Sequence, residues 1–229
     1  MAIDVKELET LPLEVVGRLV DASNATLLCK LQGTEQQVIY KPIAGERPLW
    51  DFPDGNLASR EVAAFYISDF SGFNLVPKTI LRDGPYGEGS VQEWIDVPED
   101  FDPVIFGQST APRLSDLALF DALINNTDRK YGHLLVDARG ELYGCDHGVT
   151  FHSEDKLRTV LWQFAGKPLS LDQIEYLQRI QSGVDRGYLQ SLITDQEINA
   201  LDNRIEALLR ESALPFPSQD WPAIPWPPF

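Results

Sequence analysis

The sequence is poor in cysteine, in basic residues and in long apolar runs, and each shortage narrows the range of possible functions. Two cysteines, Cys29 and Cys145, allow at most one disulfide bond and are typical of a protein whose thiols stay reduced. No apolar run reaches the length of a membrane span, and residues 1–11 are acidic and lack the apolar region of a signal peptide. We therefore expect a cytoplasmic protein.

The charge is strongly acidic, because 19 Lys and Arg residues stand against 35 Asp and Glu residues and leave a formal net charge of −16. A surface of this sign repels the phosphates of nucleic acids and of anionic lipid headgroups. We therefore expect no nucleic-acid partner and no stable membrane association. The oligomeric state is left open.

Hydrophobic patterning divides the 229 residues into a strand-rich first half and a helical second half. Apolar runs separated by Asn, Asp and Gly turns predict strands at 13–20, 25–31, 37–41, 75–81 and 89–95. Helical spacing predicts helices at 57–70, 114–124, 171–182 and 195–212. A short hairpin is predicted from residues 134–136 and 142–144.

The composition changes after Asp96, where a polar connection containing proline begins. This change predicts two lobes, at residues 1–96 and 97–214. The remaining residues, 215–229, hold six of the 16 prolines and two of the five tryptophans. They have no helical or strand period, so we expect an extended tail that packs on the body through Trp221, Trp226 and Phe229.

A dense polar cluster follows the helix predicted at 114–124, and it reads Asn125-Asn126-Thr127-Asp128-Arg129-Lys130-Tyr131-Gly132-His133. A second polar group, Asp146-His147-Gly148, follows the predicted hairpin. This spacing brings two carboxylates together, as phosphoryl transfer requires, because one orients the attacking hydroxyl and the other holds the metal. Lys41 at the end of the third strand and Glu61 early in the first helix complete the chain order of a kinase.

This ordered set resembles the atypical kinases that include phosphatidylinositol 3- and 4-kinases, HipA-like kinases and secretory-pathway kinases. More narrowly, the chain is similar to a small bacterial protein family related to the phosphatidylinositol 3- and 4-kinases. The matching segments are GRLVDASNA from Gly17, YKP from Tyr40, GERPLWDFP from Gly45, REVAA from Arg60, NNTDRK from Asn125 and DHGV from Asp146. The resemblance implies an α+β, two-lobed protein-kinase-like fold with a β-rich N-lobe and a mainly helical C-lobe.

The resemblance also implies roles for individual residues. Lys41 would bind the α- and β-phosphates of ATP, and Glu61 would pair with it. Asp128 matches the catalytic-loop aspartate, and Asp146 matches the metal-binding aspartate. The remaining ATP contacts would come from a phosphate-covering turn, with Ser23 and Asn24, and from a hinge beside adenine, with Gln92, Glu93, Trp94 and Ile95.

The sequence departs from this pattern at the metal site and at the phosphate loop. His133 stands where an asparagine usually supplies the second metal ligand, and a neutral imidazole suits Mn²⁺ better than Mg²⁺. Lys130 replaces the usual histidine after the arginine, and neither a Gly-x-Gly-x-x-Gly loop nor an Ala-Pro-Glu segment is present. The resemblance implies ATP as a cofactor, and the imidazole of His133 leaves both Mg²⁺ and Mn²⁺ as the expected metal.

Three functions fit these residues. The first is an ATP- and metal-dependent phosphotransferase acting on a hydroxyl group of a protein Ser/Thr or a small molecule, with lipid disfavoured by the acidic surface. AMP transfer would use the same residues. The second is a catalytically inactive, nucleotide-binding pseudokinase. The third is a metal-dependent hydrolase, which leaves Lys41 and Glu61 unexplained and would use the acids and histidines of the second half: Asp128, His133, Asp146, His147 and His152.

Each residue also has a purely structural interpretation. Lys41 would then be a solvated strand end and Glu61 an ordinary charge on a helix face, while Asp128 and Asp146 would be turn residues. Their order along the chain favours the functional interpretation. Lys156 and Arg158 are charges that an anionic substrate could meet, although a solvated face is the simpler interpretation.

Overall fold

A five-stranded antiparallel sheet forms most of the first half of the protein. The computed structural model describes residues 4–19 and 24–229. Helix α1 (Val5–Thr10) precedes the sheet, and helix α2 (Leu57–Ser71) lies between its third and fourth strands. The strands are β1 (Leu13–Arg18), β2 (Leu27–Leu31), β3 (Gln37–Pro42), β4 (Thr79–Gly84) and β5 (Gly87–Glu93), in the spatial order β1-β2-β3-β5-β4.

The second half is mainly helical and contains one small hairpin of two strands, β6 (Leu134–Val136) and β7 (Leu142–Gly144). The helices are α3 (Pro103–Gly107), α4 (Pro112–Leu123), α5 (Leu171–Gly183), α6 (Arg186–Gln190) and α7 (Asp195–Glu211). Single 3₁₀ turns occur at Ile43–Gly45, Tyr131–His133 and Trp162–Phe164. None of the helices in the described residues is long and apolar enough to cross a membrane.

The predicted mixture of a strand-rich half and a helical half is confirmed, but two details differ. The strand predicted at 75–81 begins only at Thr79. The reason is that the N–H groups of Leu75 and Val76 donate to the Ser68 hydroxyl, at 2.8 and 3.2 Å, instead of joining the ladder. The short helices α1, α3 and α6 were not predicted, because five or six residues carry too little of a helical period.

Helix α2 begins at a well-satisfied N-terminus. The Asn56 side chain accepts the N–H of Ser59 at 2.7 Å, as the sequence predicted for a cap. The Glu46 carboxylate accepts the N–H groups of Leu57 and Ala58, at 2.9 and 2.8 Å, and places a negative charge at the positive end of the helix dipole. These contacts fix where the helix starts and therefore which way its side chains point.

The buried apolar residues form two clusters that meet at α2. The smaller cluster lies against the sheet and contains Leu8, Leu13, Leu27, Cys29, Leu31, Val38, Tyr40 and Val91. The larger cluster contains Val62 and Ile67 of α2 together with residues of α4, α5 and α7. Helix α2 also packs on β4. Its middle turns therefore lie at the junction of the sheet and the helical half.

An ion pair between Arg60 and Glu197 joins α2 to α7 in the interior, where the two side chains are 2% and 9% exposed. Arg60 also donates to the carbonyl oxygens of Thr150, at 3.2 Å, and Asp54, at 2.8 Å. Its guanidinium lies 4.9 Å from the centre of the Phe52 ring. Because both side chains of the pair are buried, the pair holds α2 in a fixed orientation against α7.

Residues 215–229 have no regular secondary structure, as predicted for an extended tail. The segment packs on the body through Trp221, whose ring contacts Lys156 and Arg158. Trp226 and Phe229 were also expected to pack, and this was wrong, because they are 89% and 65% exposed. The Trp226–Pro227 peptide bond is cis.

We expect Glu197→Ala to lower the free energy of unfolding by roughly 3–5 kcal/mol, because it leaves the Arg60 charge buried without a carboxylate. Urea unfolding followed by circular dichroism measures this loss. The matched control is Glu211→Ala, which removes one partner of the exposed Arg210–Glu211 pair and should change stability by less than about 0.5 kcal/mol. Equal effects of the two substitutions would contradict the prediction.

Candidate active site

Lys41, Glu61 and Asp146 converge on one point beside the sheet. Lys41 lies near the end of β3, where it is paired with Ser90 of β5. Its Nζ forms an ion pair with Glu61 of α2 and lies 2.9 Å from Oδ1 of Asp146. The Lys41 side chain is 21% exposed and that of Glu61 only 2%, so the contact with Glu61 is largely shielded from water. Three residues that the sequence placed far apart therefore meet in space.

The second oxygen of Glu61 links α2 to the segment that follows β7. This Oε2 accepts the backbone N–H of His147 at 3.0 Å. Asp146, the preceding residue, has a φ of 59°, a left-handed conformation that aspartate tolerates better than most residues. Glu61 therefore fixes Lys41 with one oxygen and the backbone next to Asp146 with the other.

The charges of this cluster stabilise one another. Burial alone would lower the pKa of Lys41, but the carboxylates of Asp146 and Glu61 raise it above its ordinary value. The Lys41 ammonium in turn holds the pKa of Asp146 well below its ordinary value. Lys41 is therefore cationic and Asp146 anionic at neutral pH, although about half of the Asp146 side chain, 52%, is exposed.

Asp128 lies in the loop that follows α4, next to the same cluster. Its N–H donates to Oδ1 of Asn126 at 3.0 Å, and Thr127 is tied to the carbonyl oxygen of Val149 by its N–H and its hydroxyl, at 3.1 and 2.9 Å. The Asp128 carboxylate is 34% exposed and lies 3.1 Å from Nζ of Lys130. Burial raises the pKa of Asp128, and Lys130 opposes that effect.

Sequence reasoning missed the buried pair that holds this loop in place. Asp121 on α4 and Arg129 in the loop are both completely buried, and the Arg129 Nε and Nη2 atoms lie 2.9–3.1 Å from the Asp121 carboxylate. The Asn126 side chain donates to the same carboxylate at 3.0 Å. Only one signal was available in the sequence: a charged Asp121 inside the strongly apolar helix pattern at 114–124.

Arg129 also holds the segment that carries Asp146. Its Nη1 donates to the carbonyl oxygen of Cys145 at 2.8 Å, and its Nη2 lies 2.7 Å from Nε2 of His147. The rigid guanidinium fork can bind all of these partners at once, which an ammonium group cannot do. Arg129 therefore positions Asp128 and Asp146 relative to each other without pointing into the site itself.

His133 reaches Asp146, as required if the two residues share a metal. Its Nε2 lies 3.4 Å from Oδ2 of Asp146, and its Nδ1 accepts the N–H of Lys130, also at 3.4 Å. Burial lowers the pKa of His133 to about 4, so the ring is neutral at physiological pH. These contacts place the ring proton on Nε2, and binding a metal through that atom requires the proton to move to Nδ1.

The donor set fits a metal shared with a nucleotide better than a metal held by protein alone. No group of three or more His, Cys, Asp or Glu side chains within the described residues could hold a metal ion. Mg²⁺ is commonly bound by one or two carboxylates together with substrate phosphates and water. Asp146 can supply one carboxylate ligand of this kind, and His133 can add an imidazole nitrogen, which suits Mn²⁺ better than Mg²⁺.

The larger ligand set of the hydrolase interpretation is not assembled in the structure. His147 is completely buried and faces Arg129, and burial together with the Arg129 charge holds its pKa well below the ordinary value. His152 packs edge-on against the Phe52 ring, with 5.2 Å between the ring centres. Neither histidine therefore joins Asp128, His133 and Asp146 in one cluster.

Apart from Lys41, the residues predicted to contact ATP belong to the phosphate-covering turn and to the hinge. Ser23 lies outside the described residues, and Asn24 uses its Oδ1 to accept the N–H of Arg47 at 2.9 Å. Of the predicted hinge residues, Gln92 and Glu93 end β5, and Trp94 and Ile95 follow it. The Gln92 side chain donates to the Thr79 hydroxyl at 2.8 Å.

The N–H groups of two hinge residues already have partners. Glu93 donates to the carbonyl oxygen of Lys78 at 2.8 Å, and Trp94 donates to that of Gln37 at 3.2 Å. The predicted adenine contacts stay a prediction.

Comparison with known proteins identifies a family. No protein-family model matches the sequence. Protein Rv2133c of Mycobacterium tuberculosis (strain ATCC 25618 / H37Rv) is 41% identical over 257 residues, and the match covers 95% of this chain and 92% of that protein. The chain belongs to the same family as this mycobacterial protein. The name of this relative states no activity.

Comparison with solved structures shows that this chain has a kinase-like fold. The structure of hydra Fam20 with sugar has a TM-score of 0.61 at 15% identity and covers 91% of this chain and 86% of that chain. The Helicobacter pylori proinflammatory kinase CtkA gives 0.53 at 11% identity, covering 93% and 96%, and the golgi casein kinase gives 0.52 at 13% identity, covering 90% and 72%. The predicted α+β, two-lobed kinase-like fold is therefore confirmed.

We expect Arg129→Lys to lower the free energy of unfolding by roughly 2–4 kcal/mol, although the charge is kept, because one ammonium cannot replace the buried contacts of the fork. Chemical denaturation measures the loss. Arg139→Lys is the matched control, because Arg139 is 73% exposed and its partner is the nearby Asp137. A similar small effect at both positions would show that the Arg129 network is not needed for stability.

Proposed function

We propose that this protein is an ATP- and metal-dependent phosphotransferase that transfers a phosphoryl group to a hydroxyl group. The observation that carries the proposal is the meeting of Lys41, Glu61 and Asp146 in one ion-pair cluster within a kinase-like fold. In kinases, a strand lysine held by a helix glutamate and an aspartate that binds the metal must both be in place.

Each residue of the site has a distinct role in this proposal. Lys41 binds the α- and β-phosphates and is held in position by Glu61. Asp146 and His133 would hold the metal, for which the His133 proton has to lie on Nδ1 and the hydrogen bond from the Lys130 N–H to that atom has to break. A bound Mg²⁺ or Mn²⁺ supplies positive charge that neutralises the phosphates during transfer. Asn24, together with Ser23, is assigned to the phosphate-covering turn.

Asp128 orients the acceptor hydroxyl and accepts its hydrogen bond. Its carboxylate is partly exposed, lies in a loop held on both sides, and is raised in pKa by burial, all of which suit a group that meets a proton donor. Lys130, 3.1 Å away, balances part of its charge.

The finer assignments belong to the same proposal. The lobe boundary lies between residues 96 and 97, and adenine lies beside residues 92–95. The acceptor is a protein Ser/Thr or a small molecule, since a net charge of −16 disfavours anionic lipid surfaces. A nearer relationship to phosphatidylinositol 3- and 4-kinases or to HipA-like kinases stays a prediction, as does a cytoplasmic location.

We expect Asp128→Asn to keep ATP binding and to lower ATP turnover by roughly a hundredfold or more, because the acceptor hydroxyl loses its general base. Thermal shift with ATP plus Mg²⁺ or Mn²⁺ measures binding, and release of ³²P-labelled product measures turnover. Asp100→Asn, at an exposed position, is the control. Binding of ATP without turnover in the unmodified protein would point to a pseudokinase. Stabilisation by metal alone that ATP does not increase would overturn the proposal.

We expect His133→Asn to shift the metal preference from Mn²⁺ toward Mg²⁺, because it replaces an imidazole nitrogen with the oxygen ligand that Mg²⁺ prefers. The measurement is the ratio of ATP affinities in the two metals by isothermal titration calorimetry. His152→Asn removes an imidazole that packs on Phe52 and serves as control. An unchanged ratio in His133→Asn would remove His133 from the metal site.

A further inference from the structure

The C-terminal segment, residues 215–229, runs directly beside the Asp128 loop. The carbonyl oxygen of Pro228 accepts the N–H of Tyr131 at 2.9 Å. The carbonyl oxygen of Ala223 accepts the N–H of Thr159 at 3.1 Å and the indole N–H of Trp162 at 2.8 Å. The segment is therefore attached to the loop that carries Asp128 and to the neighbouring stretch of chain at 158–162.

Arg158 is held next to Asp128 by backbone contacts on both sides of that aspartate. Its N–H donates to the carbonyl oxygen of Asn126 at 2.9 Å, and its own carbonyl oxygen accepts the N–H of Arg129 at 3.1 Å. The Arg158 charge is near enough to oppose the effect of burial on the pKa of Asp128. Arg158 therefore lies on the acceptor side of the proposed phosphotransferase site.

The guanidinium of Arg158 forms no ion pair with any carboxylate in the described part of the chain. Among residues 4–19 and 24–229 it forms no ion pair and no side-chain hydrogen bond, and its one ring contact is with Trp221, at 4.4 Å. Its Nε and the indole Nε1 of Trp221 are both buried and have no acceptor within the described ranges. Buried donors are normally hydrogen-bonded, so oxygen acceptors brought by a ligand would suit this site.

Lys156 adds a second positive charge, but this charge is already partly balanced. Its side chain is 8% exposed, and Nζ lies 3.2 Å from Glu154 and within 5.2 and 5.6 Å of the Trp221 and Trp50 ring centres. Trp221 of the C-terminal segment thus contacts both cations. Of these two cations, Arg158 is the one that forms no ion pair within residues 4–19 and 24–229.

We propose that Arg158, supported by Trp221 of the C-terminal segment, is the binding subsite for an oxyanion group, phosphate or carboxylate, on a small hydroxyl-bearing acceptor. The inference rests on the proposed phosphotransferase function. Arginine binds phosphate and carboxylate through paired N–H groups. One arginine without an ion pair among the described residues matches one anionic group, whereas the net charge of −16 repels polyanions and lipid surfaces.

The test is binding of the anion in the absence of nucleotide. Inorganic phosphate and acetate are the two probes, and glycerol is the neutral control, with tryptophan fluorescence and calorimetry as readouts. We expect Arg158→Gln to weaken binding of the preferred anion by roughly tenfold to a hundredfold, the loss typical of a charged hydrogen bond. Arg139→Gln removes the same charge from an exposed position and should change binding little.

The tail's part is tested by Trp221→Leu against Trp226→Leu. We expect the first to weaken anion binding, because Trp221 supports Arg158, and the second to leave it unchanged, because Trp226 is 89% exposed. Lys41→Ala shows whether the anion binds at Lys41 or at Arg158. Anion binding that survives Lys41→Ala and is lost in Arg158→Gln supports the subsite, whereas the reverse pattern overturns it.

The subsite and the phosphotransferase function can fail separately. If ATP and metal bind but neither anion binds at Arg158, the subsite is wrong and the proposed function stands. If an anion binds at Arg158 but ATP does not bind, the proposed function is wrong. Once turnover is established, glycerol phosphate should be a better acceptor than glycerol, and this preference should be lost in Arg158→Gln. Better turnover of an unphosphorylated Ser peptide, unaffected by Arg158→Gln, would overturn the small-acceptor assignment.

Discussion

The buried guanidinium of Arg129 is the interaction on which the arrangement of the site depends. It binds Asp121 on α4, the carbonyl oxygen of Cys145 after β7, and the ring of His147. Charged groups are buried at a high cost unless they are paired and fully hydrogen-bonded, so this network tolerates few alternatives. Asp128 and Asp146 lie next to the residues that this network binds, so the network fixes the positions of both aspartates.

A second constraint comes from Glu61, which is almost fully buried and uses its two oxygens for two different segments. The cap at Asn56 and Glu46 and the buried Arg60–Glu197 pair set the rotation of α2, and that rotation aims Glu61 at Lys41. The two lysines of the site, Lys41 and Lys130, both form ion pairs with carboxylates. Arg158 differs because its partner in the described structure is an aromatic ring.

Much of the fold and of the site could be predicted from the sequence. Strand alternation, turn residues and the Asn56 cap predicted most elements within a few residues, because these signals are local. The kinase-like order along the chain predicted four site residues: Lys41, Glu61, Asp128 and Asp146. Three of them, Lys41, Glu61 and Asp146, meet in one ion-pair cluster. The predicted β4 began too early, because the N–H groups of Leu75 and Val76 bond to a side chain far from the ladder.

The contacts that were missed join side chains that belong to different structural elements. Asp121 with Arg129, Arg60 with Glu197 and Trp221 with Arg158 depend on how whole elements pack, and no short-range pattern reports that. The exposure of Trp226 and Phe229 was missed for a related reason. Aromatic residues usually bury surface, but a tail held by backbone hydrogen bonds at Ala223 and Pro228 does not need those rings.

The division of the interior into two clusters has a mechanical consequence. Lys41 extends from β3, whose Val38 and Tyr40 belong to the smaller cluster, whereas Glu61 lies on α2, which contributes Val62 and Ile67 to the larger one. Asp128 and Asp146 are tied to α4, which lies in the larger cluster, through Arg129. Any movement of the sheet away from the helical half would therefore separate Lys41 from Glu61 and Asp146, and its two ion pairs oppose that movement.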